Sequence, residues 1–243
     1  MNDALTLSDQ VAQRLRERIA DGTWSAGATL PAERRLATEL GVSRGSLRAG
    51  IAQLQAEGLV EARQGSGTRV CADLSQAPLD WMSWVLAHEG LDPVEAMIVI
   101  EQLVALRRTV ALHVLEQAMD AIDGVQLSQF RRLVEEQGQC IDEPIQYKAL
   151  EHRIERFFIA LANNRIVSLL NESLRRCFQA RPEVVTAFMG NLKVHYLGNQ
   201  ALLAALEMML AQPEQKSEIM AGIKGALLEF EAQGLSRVRE QVC

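Results

Sequence analysis

The stretch LPAERRLATELGVSRGSLRAGIAQLQAEGLVEARQGSGTRV, residues 30–70, decides the fold of the N-terminal part of the chain. Leu36, Ala37 and Leu40 fall on one helical face, and Gly41 is placed to end that helix. Pro31 stands where its first turn would open. Ser43 is a candidate N-cap for a second helix, whose Leu47, Ile51 and Leu54 again share a face and whose end falls at Gly58. Two helices joined by a tight glycine turn make a helix-turn-helix pattern. The runs Leu59-Val60-Glu61-Ala62-Arg63 and Thr68-Arg69-Val70 are β-prone and flank Gln64-Gly65-Ser66-Gly67, which is a hairpin signal. A helix-turn-helix followed by a hairpin is the winged form. Working outward, Ser8 can cap an earlier helix reaching Ala20, with Val11, Leu15 and Ile19 on its inner face.

The octet GVSRGSLR, residues 41–48, carries the chemistry of this segment. Arg44 and Arg48 lie four apart on the side of the helix opposite Leu47, Ile51 and Leu54. Ser46 adds a short hydroxyl, and Gly45 leaves room for close backbone approach. No acidic residue stands between Glu39 and Glu57, and Arg34, Arg35, Arg63 and Arg69 lie on neighbouring elements. Like charges at this spacing weaken an isolated helix slightly, and on most helices they mark a solvated face. Beside a helix-turn-helix and a wing they point to DNA, because the first turn of a helix in the major groove reaches base edges.

The bulk charge runs the other way. The 243 residues carry a formal net charge of -6, divided into +1 over residues 1–70 and -7 over the remainder. Any affinity for nucleic acid must therefore come from a local cluster. Apolar residues make up 48% and aromatic residues 5%, which favours packed helices over sheets. Cys71, Cys140, Cys177 and Cys243 are scattered, as in a reduced cytoplasmic protein. The first 20 residues show no signal-peptide pattern, and no apolar run is long enough to span a membrane. No HExxH, phosphate-loop or Ser/His/Asp motif appears, so an enzyme is not expected.

Residues 30–70 resemble the DNA-binding domain of the GntR family of bacterial transcription regulators, through the elements LPAER, LATELGVSR, LR, EGLV and GSGTRV. The resemblance implies double-stranded operator DNA as the partner and Arg34, Ser43, Arg44, Gly45, Ser46 and Arg48 as its contacts. It places Gly65, beside Gln64, at the tip of the wing. The family usually has Glu-Ala after the recognition-helix arginine, where this chain has Ala49-Gly50. Gly50 weakens a helix interior, so a close helix contact is expected there.

From Leu79 onward the pattern is helical throughout, with expected helices over 79–88, 93–119, 125–140, 145–162, 164–180, 183–211 and 214–233, the longer of these leaving room for internal breaks. The expected fold is therefore mainly α: a winged helix-turn-helix over 1–71, a linker over 72–78, and an all-helical bundle over 79–243. The helix over 93–119 is apolar nearly all round, so it is expected inside the bundle. At least one of Arg107 and Arg108 at its middle then needs an anionic partner, either an internal carboxylate, for which Glu151 and Glu155 are candidates, or a ligand.

This half is similar, more weakly, to the sensing domain of the FadR subfamily, through LDWMSWVLAHEGLDPVEAMIVIEQLVALRRTVALHVLEQA and LEHRIERFFIALANNRIVSLL. Many members of that subfamily bind a divalent metal with an Asp and three His. Here Glu151, Glu155 and Asn199 occupy such positions and 223–231 holds no His, a poor set for a borderline metal, so neither metal nor cofactor is expected. The resemblance makes Arg107 the residue facing an effector. With Glu151, Glu155, Tyr196 and Asn199 it defines an expected site for a small acidic ligand, an organic acid or a fatty acyl-CoA, in a homodimeric regulator acting on a palindromic operator. The alternative is an effector-independent DNA-binding protein whose helical domain serves only for dimerisation.

Overall fold

The computed structural model describes residues 6–63, 67–73, 77–87 and 92–242, and the chain divides into two compact units between Asp92 and Pro93. In the first unit, α1 (Leu7–Ala20), α2 (Glu33–Leu40) and α3 (Arg44–Ala56) are followed by β1 (Val60–Arg63), β2 (Gly67–Val70) and α4 (Trp81–Ala87). The two strands pair antiparallel, with Val60 opposite Val70 and Arg63 opposite Gly67. This is the expected winged helix-turn-helix. The glycine-rich tip expected at Gln64 and Gly65 lies outside the described residues.

Two helix starts differ from expectation. Thr6, not Ser8, caps α1: its hydroxyl accepts from Asp9 N while the Asp9 carboxylate accepts from Thr6 N at 3.0 Å, a reciprocal box that Ser8 lacks an acidic partner to form. Pro31 precedes α2 instead of opening it. A residue before proline is pushed to extended backbone, and Leu30 is held that way by donating its N–H to Thr68 O at 2.8 Å. Together with the isolated Thr29–Arg69 bridge, this ties 29–30 to the second strand of the wing.

The core of this unit gathers Leu15 of α1, Leu36 of α2, Leu47 and Leu54 of α3 and Val70 of β2, all fully buried. Gly41 ends α2 in the left-handed conformation, φ 67°, which lets the chain turn straight into the Ser43 cap of α3. Gly50 sits where α3 crosses α1. A Cβ there would stand 2.7 Å from Val11 Cγ1 and 3.1 Å from Ala12 N. The expected close helix contact is thus real, and it brings the two helix backbones together. The helical bundle, expected to begin at Leu79, starts later, because α4 packs with the first unit. Trp81 is 3% exposed within the same core, and the Arg16 guanidinium lies 5.5 Å from the centre of the Trp84 ring.

The second unit is all helix: α5 (Pro93–Ala121), α6 (Gly124–Gln139), α7 (Pro144–Ala162), α8 (Arg165–Gln179), α9 (Pro182–Met189), α10 (Leu192–Ala211) and α11 (Lys216–Val242). α5 packs against α7, α8 and α11, α6 lies against α7 and α10, and α9 lies against α11. The helical stretch expected over 183–211, with room for an internal break, divides at Gly190, φ 53°, where the Arg237 guanidinium would stand 2.9 Å from a Cβ. Asn191 then caps α10. α5 is not enclosed all round, since Val94, Ile98 and Leu106 are 63%, 50% and 37% exposed.

Gly50→Ala tests the α1–α3 contact. Alanine favours a helix interior by about 1 kcal/mol, but the clash with Val11 and Ala12 costs about 1–3 kcal/mol. The expected outcome is a lower urea midpoint for unfolding of the first unit. A higher midpoint would mean that the helices separate freely.

Candidate nucleic-acid interface and ligand cavity

α3 is set by its inner face. Leu47, Gly50, Ile51 and Leu54 are buried, so the helix must present Arg44 and Arg48 outward, and both are exposed. Ser43 Oγ accepts from Ser46 N at 3.0 Å and lies 2.9 Å from Ser46 Oγ, so these two hydroxyls fix the first turn. A Cβ at Gly45 would meet only Ser43 Oγ, at 3.7 Å, so packing within the unit does not demand glycine there.

The unit's carboxylates explain why a nearly neutral domain has a cationic edge. Glu57 binds Arg16 at 2.5 Å, Glu39 binds Arg18 at 2.7 Å and Glu61 binds Arg63 at 2.9 Å. Asp9 is taken up by Thr6 and by Gln53, and the Thr6 hydroxyl holds its carboxyl below the usual range. Arg69 donates through Nε to the Gly27 carbonyl, so it is turned into the fold. Among the described residues, Arg34, Arg35 and Arg44 are exposed and form no ion pair, whereas Arg48 Nε donates to Glu33 Oε2 at 2.8 Å. Three of the unit's exposed arginines without an ion pair therefore lie on α2 and at the start of α3, while a fourth, Arg14 of α1, donates to the Leu40 carbonyl at 3.3 Å.

The second unit holds a cavity of about 470 Å³ among α5, α7, α8, α9, α10 and α11. Its apolar wall includes Val104, Leu174, Phe178, Phe188 and Phe230, and its polar rim includes Arg107, Lys148, Glu151, His152, Glu155, Arg175 and His195. Of the five residues expected at a ligand site, Arg107, Glu151 and Glu155 line it, while Tyr196 and Asn199 do not. Tyr196 packs over Gly138, where its hydroxyl lies 2.6 Å from the position of an added Cβ. Asn199 stands behind the wall and donates to Glu151 Oε2 at 3.0 Å and to Gln137 Oε1 at 2.8 Å. Gln137, fully buried, donates to the same Glu151 oxygen at 2.8 Å.

His195 joins this network. Its Nδ1 lies 2.9 Å from the fully buried Tyr147 hydroxyl, and its Nε2 lies 3.8 Å from Glu151 Oε1. Burial, reinforced by the Glu151 charge, pushes the Tyr147 hydroxyl far above its ordinary pKa, so it stays protonated. Among the described residues no group of three or more His, Cys, Asp or Glu is placed to hold a metal ion. The donor set at the expected metal positions is two carboxylates and an amide already engaged with one another or with neighbours, which does not fit a borderline metal.

The pairing expected for the α5 arginines is different. Arg108 binds Glu231 of α11 at 2.6 Å, not Glu151 or Glu155. Arg107 is exposed toward the cavity, its guanidinium 6.0 Å from the Phe178 ring centre. Lys148 Nζ donates to Thr186 Oγ1 at 3.2 Å and, like Arg107, forms no ion pair among the described residues. Lys148 and His195 were legible as one-turn neighbours of Glu151 and Asn199; Phe230 carried no such signal.

The first unit thus defines a class, a winged helix-turn-helix DNA-binding domain. Residues 7–70 match the model described as bacterial regulatory proteins, gntR family, and this segment is a DNA-binding domain of that type. The chain is 47% identical over 68 residues to the HTH-type transcriptional regulator Rv0494 of Mycobacterium tuberculosis, covering 28% of each chain. It is 46% identical over 67 residues to the Exu regulon transcriptional regulator of Escherichia coli K12, covering 28% of this chain and 26% of that one. These matches span little more than a quarter of the relatives' lengths. A solved structure described by the words "Lar controls the expression of the Listeria monocytogenes agr system and mediates virulence" matches 96% of this chain and 98% of its own, with a TM-score of 0.56 and 21% identity, which is a likeness of fold. No helix among the described residues is long and apolar enough to cross a membrane.

Glu231 gives a pH test of the α5–α11 contact. Burial raises its pKa above 4.5, against the opposing pull of Arg108. With the folded value above the unfolded one, its contribution to stability is full below about 4.5 and is lost as pH rises through the folded value. Glu231→Gln should flatten that part of the melting-temperature profile. Identical profiles for the two proteins would show that the carboxyl titrates alike folded and unfolded.

Proposed function

We propose that the chain is a ligand-responsive transcription regulator of the FadR subfamily, acting in the cytoplasm as a homodimer on a palindromic operator. The observation that carries the reading is the coexistence, in one chain, of a gntR-type domain with unpaired Arg34, Arg35 and Arg44 and a helical unit enclosing an apolar cavity with two unneutralised cations. Arg34, Arg35 and Arg44 meet phosphates and base edges, with Arg48, Ser43, Gly45 and Ser46 completing the surface at α3 and Gln64 and Gly65 reaching from the wing. The regulator reading, rather than an enzyme, rests on the family match.

In the cavity, Arg107 and Lys148 are free to bind a carboxylate, and the phenylalanine wall takes an apolar body, as in an organic acid or an acyl chain. Glu151 serves as scaffold, since Gln137 and Asn199 already occupy one of its oxygens. The exposed Val94, Ile98 and Leu106 of α5, spaced by multiples of four, supply an apolar stripe for a second copy. The effector acts by binding the DNA-competent and DNA-incompetent states with different affinity.

Native mass spectrometry of the purified protein reads subunit number and retained ligand together. A dimer that keeps an acidic ligand in the wild type and loses it in Lys148→Ala fits the reading. If DNA affinity and melting temperature respond to no carboxylate or acyl-CoA in a broad panel, the helical unit serves assembly alone. Arg44→Ala should weaken operator binding by about 1–3 kcal/mol and relax base preference, measured by competition titration. Unchanged selectivity would remove Arg44 from the interface.

A further inference from the structure

We propose that Glu33 is a positioning residue for base recognition: it holds Arg48 by its Nε and so makes that arginine a reader of bases rather than of phosphates. The inference rests on the DNA-binding reading above. A carboxylate on the cationic edge of a DNA-binding domain works against affinity, because it repels the phosphates that supply most of it. Among the described residues, Glu57, Glu39 and Glu61 pair with Arg16 and Arg18 of α1 and Arg63 of β1, whereas Glu33 reaches an arginine of α3. The pair joins α2 to α3 across the helix-turn-helix, with the Arg48 side chain 66% exposed and that of Glu33 33% exposed. At such exposure it adds little to stability. Its effect falls on the arginine.

Arginine has five N–H donors in a rigid fork. Nε of Arg48 is committed to Glu33 Oε2 at 2.8 Å, and no bond from Nη1 or Nη2 occurs among the described residues. The carboxylate therefore orients the guanidinium and leaves the edge formed by its two Nη groups, a pair of donors, without a partner among the described residues. That edge matches the O6 and N7 acceptors of guanine in the major groove. The same carboxylate cancels the charge of Arg48 at longer range, so the pair pulls weakly on phosphates. Sequence-independent attraction comes mainly from Arg34 and Arg35, with the unpaired charge of Arg44 adding to it beside that residue's own base contact; none of the three has such a partner among the described residues. Glu33 stands in the first turn of α2, where an acidic side chain suits the helix dipole.

The experiment uses the full chain as wild type, Glu33→Gln, Arg48→Ala and the double variant. Each is put through selection from a random duplex library and titrated with salt on a mixed-sequence duplex. In Glu33→Gln, mixed-sequence binding is expected to tighten and its log–log salt slope to steepen by about one. The ratio of selected-site to mixed-sequence affinity should fall about tenfold, with loss of the guanine that Arg48→Ala also loses. In the Arg48→Ala background, Glu33→Gln should leave the ratio unchanged. A wild-type ratio and slope in Glu33→Gln overturns the proposal. So does an equal fall in both backgrounds, which would make Glu33 act on DNA by itself. A wild type that enriches no sequence overturns the DNA-binding reading and this inference with it.

Discussion

The close crossing of α1 and α3 at Gly50 is the contact on which the first unit depends. Val11 and Ala12 press against a position with no side chain, and this brings Leu47, Ile51 and Leu54 into the core. A helix has only one face to bury, so the same contact decides which residues are left outside. Arg44 and Arg48 are outward because Leu47 and Ile51 are inward. Packing and recognition are two sides of one rotational setting of α3.

The distribution of carboxylates explains how an acidic chain can carry a basic edge. Glu57, Glu39 and Glu61 each neutralise an arginine that supports the fold, and Asp9 is engaged by Thr6 and Gln53. Net charge counts all of these, but a phosphate arriving at α2 and α3 meets the unpaired arginines. The second unit uses the same device inside its cavity. Arg175 is tied to Glu172 and His152 faces Glu155, while Arg107 and Lys148 remain open.

The local elements were legible wherever one residue carries one cause. Ser43 caps α3 and Gly41 stops α2 because cap chemistry depends on a few adjacent atoms. Pro31 misled because its effect depended on Leu30 pairing with Thr68, forty residues away in the wing, which no periodicity reveals. Gly190 likewise divides a helical pattern at a point that periodicity does not mark, with Arg237 of α11 packed against it. Arg107, Glu151 and Glu155, which the subfamily resemblance implied for a ligand site, line the cavity. The resemblance did not separate Tyr196 and Asn199, one helix turn away, which face Gly138 and Gln137. Which neighbour an α10 residue meets is a matter of helix rotation within the bundle, and α10 has a weak apolar stripe to fix it.

The family match ends at residue 70, but the core does not. Trp81 fills that core from a helix beyond the wing, and Trp84 lies beside the Arg16 guanidinium that Glu57 holds. The compact unit built on that core is therefore longer than the recognisable sequence signature. Severing the chain at Val70 would uncover a tryptophan-sized hole, whereas a fragment carried past Ala87 would keep its interior sealed.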